Sequence, residues 1–223
     1  MIFDAACVII MCSKRTKDSM DKPKDKNGKI EEQFLREYDV TQYFRPSVTV
    51  DALLYRRLER GARVLMIRRG GHPYIGRWAF PGGFVDADEP CETAVARELA
   101  EETGITGVAL RQLVTVSTPG RDPRWRNITA VFCAETDELD AVGGDDAERA
   151  AWFDIEYRTD GGNAELAFTG AGESFTARLA IVRDAFGRVD INNTRITDAG
   201  NTAFDHAKIL ALLLDGITGG DGK

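Results

Sequence analysis

The sequence is short of the residues from which ordinary metal, membrane and nucleic-acid sites are made. It has four cysteines, Cys7, Cys12, Cys91 and Cys133, none in a CxxC pair, and only two histidines. Zinc-type ligand spacing is therefore missing, and cysteines scattered at this density read as buried thiols in a reducing compartment. No stretch is long and apolar enough to span a bilayer. The opening MIFDAACVIIMC is too short for that and has no basic residue ahead of it, so a secretory leader does not fit either. It reads as a strand or short helix packed on the body, or as a mis-set start with Met20 as the true one. Positive charge is also in deficit. Lys and Arg number 29 against 36 Asp and Glu, a formal charge of -7, which argues against a nucleic-acid partner. An anionic substrate would need some other screen, and a metal ion is the obvious one. The cytoplasm is the default location, no membrane association is expected, and there is no internal repeat.

What is present suits one generous domain with an arm: 223 residues, 43% hydrophobic and 29% charged. Residues 13–30 are rich in Lys and Asp, cannot bury a core and read as a linker. Arm and linker are assigned to residues 1–33 and the domain to 34–223. From Ser47, the runs SVTVDALLYRR and ARVLMIRR, separated by LERG, read as a β-hairpin. The loop GGHPYIGRWAFPGG then leads to a helix with Pro90 in its first turn and Gly104 as its C-terminal cap. Ala94, Val95 and Leu99 give that helix an apolar stripe. VALRQLVTVST, NITAVFCAE and AAWFDIE read as three further strands. ESFTARLAIV and GRVDINNTRIT are expected to form an inserted hairpin, about residues 158–201, around a turn at Asp184 to Gly187. FDHAKILALLLD reads as the last helix, N-capped by Thr202 and ended by Gly216. Strands and helices mixed in this order predict an α/β or α+β sandwich.

The middle helix carries more acid than amphipathicity requires. Glu98, Glu101 and Glu102 share one face, where like charges repel, and the only nearby cation is Arg97. One reading is a solvated acidic face. The other is a site for Mg2+ or Mn2+, which prefer carboxylate and water oxygens. In the second, ions sit over the three carboxylates, and the glycines of PGGF let backbone carbonyls approach. Substrate phosphate oxygens complete the shell, which suggests metal-assisted phosphoryl transfer to water. Arg97 is no metal ligand. Its fork pairs with Glu89 or Glu101 and holds the acids in place.

The stretch GGFVDADEPCETAVARELAEETGI resembles the Nudix box. Gly83, Glu89, Arg97, Glu98, Leu99, Glu101, Glu102, Gly104 and Ile105 fill every fixed position of a box at residues 83–105. The resemblance implies a Nudix-type α/β/α sandwich with a mixed β-sheet, to which the extra hairpin is added. It implies cleavage of a nucleoside diphosphate linked to another group, with Mg2+ or Mn2+ as cofactor. Glu98, Glu101 and Glu102 are then metal ligands, Gly83 adds a backbone carbonyl, and Glu89 and Arg97 orient the cluster. Those five charged residues form the catalytic set, and the box does not assign the general base. RPSVTVDALLY, GRWAFPGGFVD, GRDPR, AAWFDI and AFDHAKI are similar to one branch of the family, over about residues 34–156 and 202–216. That branch includes ADP-ribose pyrophosphatases and Nudix-related repressors of NAD metabolism. Pro119, about fifteen residues past the box, stands where ADP-ribose cleavers often carry a proline.

Recognition of the substrate falls to the arginines. Arg121, Arg124 and Arg126 in GRDPRWR offer planar donors to phosphate or ribose-phosphate, and Arg77 joins them as a substrate-binding residue. The other reading pairs these arginines with Asp122 and its neighbours. Trp125 and Tyr74 either stack an adenine or pack internally. His206 either touches substrate or is a structural residue at a helix start. Asp145, Asp146 and Glu148 either supply a mobile base or form a polar loop. The leading expectation is a Mg2+-dependent pyrophosphohydrolase that splits a small-molecule nucleotide, ADP-ribose, into AMP and ribose 5-phosphate. One alternative is a non-catalytic ADP-ribose-sensing regulator. The intact box opposes it, as does an end shortly after Leu214, where the repressors carry a winged-helix domain. Another is a Nudix enzyme acting on a nucleoside triphosphate or other sugar nucleotide. The resemblance also implies a homodimer, with residues 30–50 and the arm as candidates for the interface.

Overall fold

A computed structural model describes residues 22–137, 139–141 and 147–218. The arm, Met20, Cys7 and Cys12 lie outside them. The chain divides into two compact units, Met1–Arg45 and Pro46–Lys223. In the first, the Asp25 carboxylate accepts the N–H groups of Asn27 and Lys29 and ties a turn. Helix α1 (Glu31–Glu37) follows and buries none of its residues. One turn of 3-10 helix, Val40–Gln42, is capped by Asp39 through the Thr41 N–H.

The second unit is organised by β1 (Ser47–Leu58), buried continuously from Thr49 to Tyr55. A continuously buried run of this kind, apolar but for Thr49 and Asp51, requires cover on both faces. β1 pairs antiparallel with β2 (Gly61–Arg69), the expected hairpin, and parallel with β6 (Asn127–Glu135), so the sheet is mixed. Side chains alternate between faces along a strand, and this parity sorts the core. Val50, Ala52 and Leu54, with Leu65, Ala130 and Phe132, pack against Ala94, Val95 and Leu99 of α2 (Cys91–Thr103). Leu53 and Tyr55, with Val64, Met66, Val131 and Cys133, pack against Ala207, Leu210 and Leu214 of α3 (His206–Thr218). One helix on each face gives the α/β/α layers. Each large apolar side chain so buried contributes about 1.5–3 kcal/mol.

β5 (Arg111–Val116) pairs with β6 at one edge, and β7 (Ala147–Asp160) pairs with the far side of β2. Short strands β3 (Trp78–Ala79) and β4 (Gly82–Phe84) hang on β2 and β1 and deliver the chain to α2. Gly104 caps α2 as expected, in the left-handed region at φ 73°, its N–H donated to the Ala100 carbonyl.

The hairpin expected within 158–201 forms from β9 (Glu173–Ala180) and β10 (Arg195–Asp198), as the end of a longer meander that the sequence reading did not include. β7 runs on to Asp160 and folds back as β8 (Asn163–Gly170) and then β9, an antiparallel meander that extends the main sheet. Its two turns are Gly161-Gly162 and Ala171-Gly172, all four residues at positive φ, the backbone that two-residue hairpins favour. The turn foreseen at Asp184 does form, with the Gly187 N–H donating to the Asp184 carbonyl at 3.0 Å. Its second arm, however, yields only β10 (Arg195–Asp198), paired with β9. The Asp190 side chain accepts the N–H groups of Asn192 and Asn193 and turns INNT out of any ladder. The strand order is β10-β9-β8-β7-β2-β1-β6-β5.

The last helix also differs at both ends. The Thr202 hydroxyl donates to the Ala199 carbonyl, so it caps nothing, and α3 begins at His206. At the other end α3 passes through Gly216 to Thr218, whose hydroxyl donates to the Leu214 carbonyl. The approach to α3 is held by Trp78, which donates its N–H to Asn201 and accepts that of Ala203. The Trp78 indole in turn donates to Glu173 of β9 at 3.1 Å. Among the described residues no helix is long and apolar enough to cross a membrane.

Candidate functional site

A cavity of 330 Å³ opens where β1, β4, α2, the loop before β6 and the start of α3 converge. Its walls include Glu98 and Glu102 from α2, Arg121 and Arg124 from the loop, Asp51 from β1 and His206 from α3.

The acidic wall is organised by Arg97. Its Nη2 meets Glu89 at 2.6 Å and the Phe84 carbonyl at 3.0 Å, while Nη1 meets Glu98 at 2.9 Å and Glu101 at 3.0 Å. The fork thus offsets the repulsion that the i, i+3, i+4 spacing creates. Hydrogen bonds from Arg97 hold the Glu89 carboxyl below its ordinary range. Burial pushes the Glu98 carboxyl up, against the pull of Arg97. Glu102 is buried and accepts the Gly82 N–H at 2.8 Å. Glu89 and Glu101 stand on Arg97 without lining the cavity.

The donor set expected here, the Glu98, Glu101 and Glu102 carboxylates with the Gly83 carbonyl, consists of oxygen alone and by its chemistry would suit a hard divalent cation. Arg97 spans Glu98 and Glu101, Glu102 is turned to Gly82, and among the described residues no three acidic, histidine or cysteine side chains converge on one metal position. Gly83 leaves room for the carboxylate beside it. A Cβ there would lie 2.3 Å from Oε1 of Glu98. Because the clash is with the end of a flexible side chain, Gly83→Ala should keep the fold and displace Glu98. The expected outcome is a thermal melt close to wild type and a loss of activity of about 10–100-fold. A wild-type rate in the folded variant would show that the Glu98 position is immaterial.

The basic wall holds its arginines in aspartate pairs. Arg121 is buried and grips Asp205 with two prongs, at 2.6 and 3.0 Å. Burial works against its charge and Asp205 outweighs it, leaving the guanidinium pKa raised. Arg124 holds Asp122 at 2.8 and 3.1 Å and lies over the Phe84 ring, 5.4 Å from its centre. Arg126 donates to the Asn127 carbonyl and Arg77 to the Thr202 carbonyl, both at 3.3 Å, and neither lines the cavity. Trp125 is exposed, and Tyr74 packs edge-on against Phe204 at 4.8 Å. Asp145 and Asp146 lie outside the described residues, as does the side chain of Glu148.

The floor contains a residue that the sequence reading passed over. Asp51 is the lone acid in SVTVDALLY, and strand parity turns it with Leu53 toward α3. Its Oδ2 accepts the Thr129 hydroxyl at 2.7 Å, and its Oδ1 lies 3.6 Å from Nε2 of His206. His206 is 2% exposed; its Nδ1 accepts the Phe80 N–H at 2.9 Å and its ring stacks on Phe80 at 4.4 Å. Burial pushes the Asp51 carboxyl up and drives His206 down to about 3. The signal was available: an acid inside an otherwise apolar strand is costly unless it has a task.

A pH dependence follows. The folded His206 pKa, about 3, lies below the unfolded value of about 6.5. Its contribution to stability is therefore complete above pH ~6.5 and lost as pH falls toward ~3. Asp51, with a raised pKa, acts in the opposite sense, so the readout is a difference. His206→Asn should flatten the decline of unfolding temperature between pH ~6.5 and ~3 relative to wild type. Equal slopes would show that the histidine does not titrate between the two states.

Comparison with known proteins gives concordant matches. The NUDIX domain family matches residues 45–165. The chain is 37% identical over 126 residues to the ADP-ribose pyrophosphatase of Methanocaldococcus jannaschii, covering 56% of this chain and 71% of that protein. A MutT/nudix family protein from Enterococcus faecalis superposes with a TM-score of 0.63 at 29% identity, over 84% of this chain and 68% of that one. The NUDIX domain of Shewanella oneidensis NrtR, complexed with ADP ribose, superposes with a TM-score of 0.51 at 31% identity, over 56% and 82% of the two chains.

Proposed function

We propose that this chain, which belongs to the Nudix family and is a Nudix pyrophosphohydrolase, takes ADP-ribose as its substrate and releases AMP and ribose 5-phosphate. The observation that carries the reading is a single cavity in which Glu98 and Glu102 face Arg121 and Arg124. The archaeal pyrophosphatase supports the substrate. Glu98, Glu101, Glu102 and the Gly83 carbonyl would hold Mg2+ or Mn2+, which supplies charge stabilisation at the diphosphate when bound. Around it, Arg97 fixes the rotamers of Glu98 and Glu101 through one guanidinium nitrogen. Arg124 presents its charge from the loop, its plane steadied by Asp122 and Phe84. Water attacks one phosphorus, and the bridging oxygen leaves with the other phosphate.

The test is a substrate panel. Purified protein with Mg2+ is offered ADP-ribose, NADH, diadenosine polyphosphates and 8-oxo-dGTP, and product release is followed by chromatography. AMP from ADP-ribose should run well ahead of the rest, and preference for another member of the panel would reassign the substrate. A second reading, a sensor that binds ADP-ribose without cleaving it, is favoured by the likeness to the NrtR NUDIX domain. It requires binding without AMP release, and a gel shift on operator DNA. We also propose a homodimer, with residues 30–50 at its interface, to be checked by light scattering.

A further inference from the structure

Asp51 and His206 are not among the residues proposed above to hold the cation or the phosphate, yet both line the cavity. Their hydrogen bonding is settled on one side only. The Phe80 N–H can only donate, so Nδ1 of His206 is the acceptor and the proton of the neutral ring sits on Nε2. The parallel stack on Phe80 fixes the ring. Thr129 occupies Oδ2 of Asp51, which leaves Oδ1 as an acceptor. At 3.6 Å, Nε2 and Oδ1 are too far apart to satisfy each other. Both residues line the cavity, which is where a bridging partner for these two atoms would come from.

A donor and an acceptor at this separation suit a group that is both. One hydroxyl oxygen, at about 2.8 Å from each, accepts from Nε2–H and donates to Oδ1. A phosphate oxygen only accepts and would face the carboxylate. The pair also lies one backbone step from the acidic wall. Asp51 is opposite Gly82 across β1 and β4, and Glu102 accepts that glycine's N–H. A hydroxyl on this floor is thus close to a phosphate held at the wall, as sugar hydroxyls are to a sugar phosphate.

Resting on the proposed cleavage of a nucleoside diphosphate sugar, we propose that Asp51 and His206 form a hydroxyl-reading pair that selects a ribose of the substrate. Both riboses of ADP-ribose carry the required chemistry, and the experiment distinguishes them. Analogues lacking one hydroxyl, on the adenosine ribose or on the terminal ribose, are compared with ADP-ribose by kcat/KM. Wild type should disfavour the analogue missing the recognised hydroxyl by about 10–100-fold.

In Asp51→Asn the Thr129 hydroxyl keeps the amide oxygen, so the NH2 group faces Nε2–H and two donors meet. In His206→Asn the amide oxygen can still accept the Phe80 N–H, with nothing at the Nε2 position. Each variant should reduce the discrimination to within about threefold, by slowing ADP-ribose and sparing the deoxy analogue. If Asp51→Asn does not fold, His206→Asn and the wild-type panel carry the test. Equal slowing of all substrates would assign the pair to a structural water and overturn the inference, as would a wild type indifferent to every deletion. Failure of the underlying reading is seen separately: wild type would then hydrolyse no nucleoside diphosphate sugar, and the inference would fall with it.

Discussion

Glu102→Gln is expected to reduce turnover by about 100-fold or more while leaving the fold in place. The two halves of that expectation come from different atoms. Glu102 is only 6% exposed and accepts the Gly82 N–H at 2.8 Å. The amide oxygen of glutamine accepts the same bond, so the turn before α2 keeps its anchor. What disappears is one negative charge from a wall whose proposed task is to hold a divalent cation, and that attraction has no neutral substitute. AMP release and a thermal melt, measured on the same preparation, check the two halves together. Full activity in the variant would remove Glu102 from the ligand set. A collapsed melt would show instead that the charge, and not merely the acceptor, supports the turn.

The largest effect on stability is expected from Arg121→Met. The guanidinium is 4% exposed and its partner Asp205 8%. Removing it strands Asp205 without a counter-charge and withdraws a cation whose attraction lowers the cost of the Asp51 charge. Breaking a buried pair by removing one partner costs about 3–5 kcal/mol, or about 6–20 °C in Tm for a chain of this size. Arg121→Lys should recover only part of this, because an ammonium cannot make the two-pronged contact with the carboxylate. Replacing both partners, as Arg121→Met with Asp205→Leu, should recover more, since no lone charge is then left inside. If the single variant melts like wild type, the pair is not the internal tie that its burial indicates.

Much of this molecule was legible in its sequence because local signals and global fold agree there. β1 and β2 are long apolar runs, Gly104 ends α2 where a left-handed residue is needed, and the carboxylate spacing on α2 places the acids on one side. The meander is only partly legible, for a local reason. The two-residue turns at Gly161-Gly162 and Ala171-Gly172 were available as hairpin signals, but ESFTARLAIV and GRVDINNTRIT look equally strand-like in isolation. The side-chain turn at Asp190 that ends the second arm is visible only once its N–H partners are placed. The cavity floor was hidden for a different reason. Asp51 and His206 are 155 residues apart in sequence, from 206 less 51. Only the parity of β1 and the late start of α3 bring them face to face. Of the four arginines singled out, Arg121 and Arg124 reach the cavity and Arg77 and Arg126 do not, a distinction set by loop path that no spacing rule encodes.

The position of Asp51 on the central strand has a further consequence. Arg124 rides on an exposed part of its loop, where local opening needs little free energy, whereas Asp51 stands on β1, paired with β6 inside the sheet. Charge attraction tolerates a moving donor, because it falls off gently with distance. Counting hydroxyls does not, because a hydrogen bond is lost within a fraction of an ångström. On the reading proposed above, the fold would divide its labour by rigidity, with charge attraction on the exposed loop and hydroxyl discrimination on the buried strand.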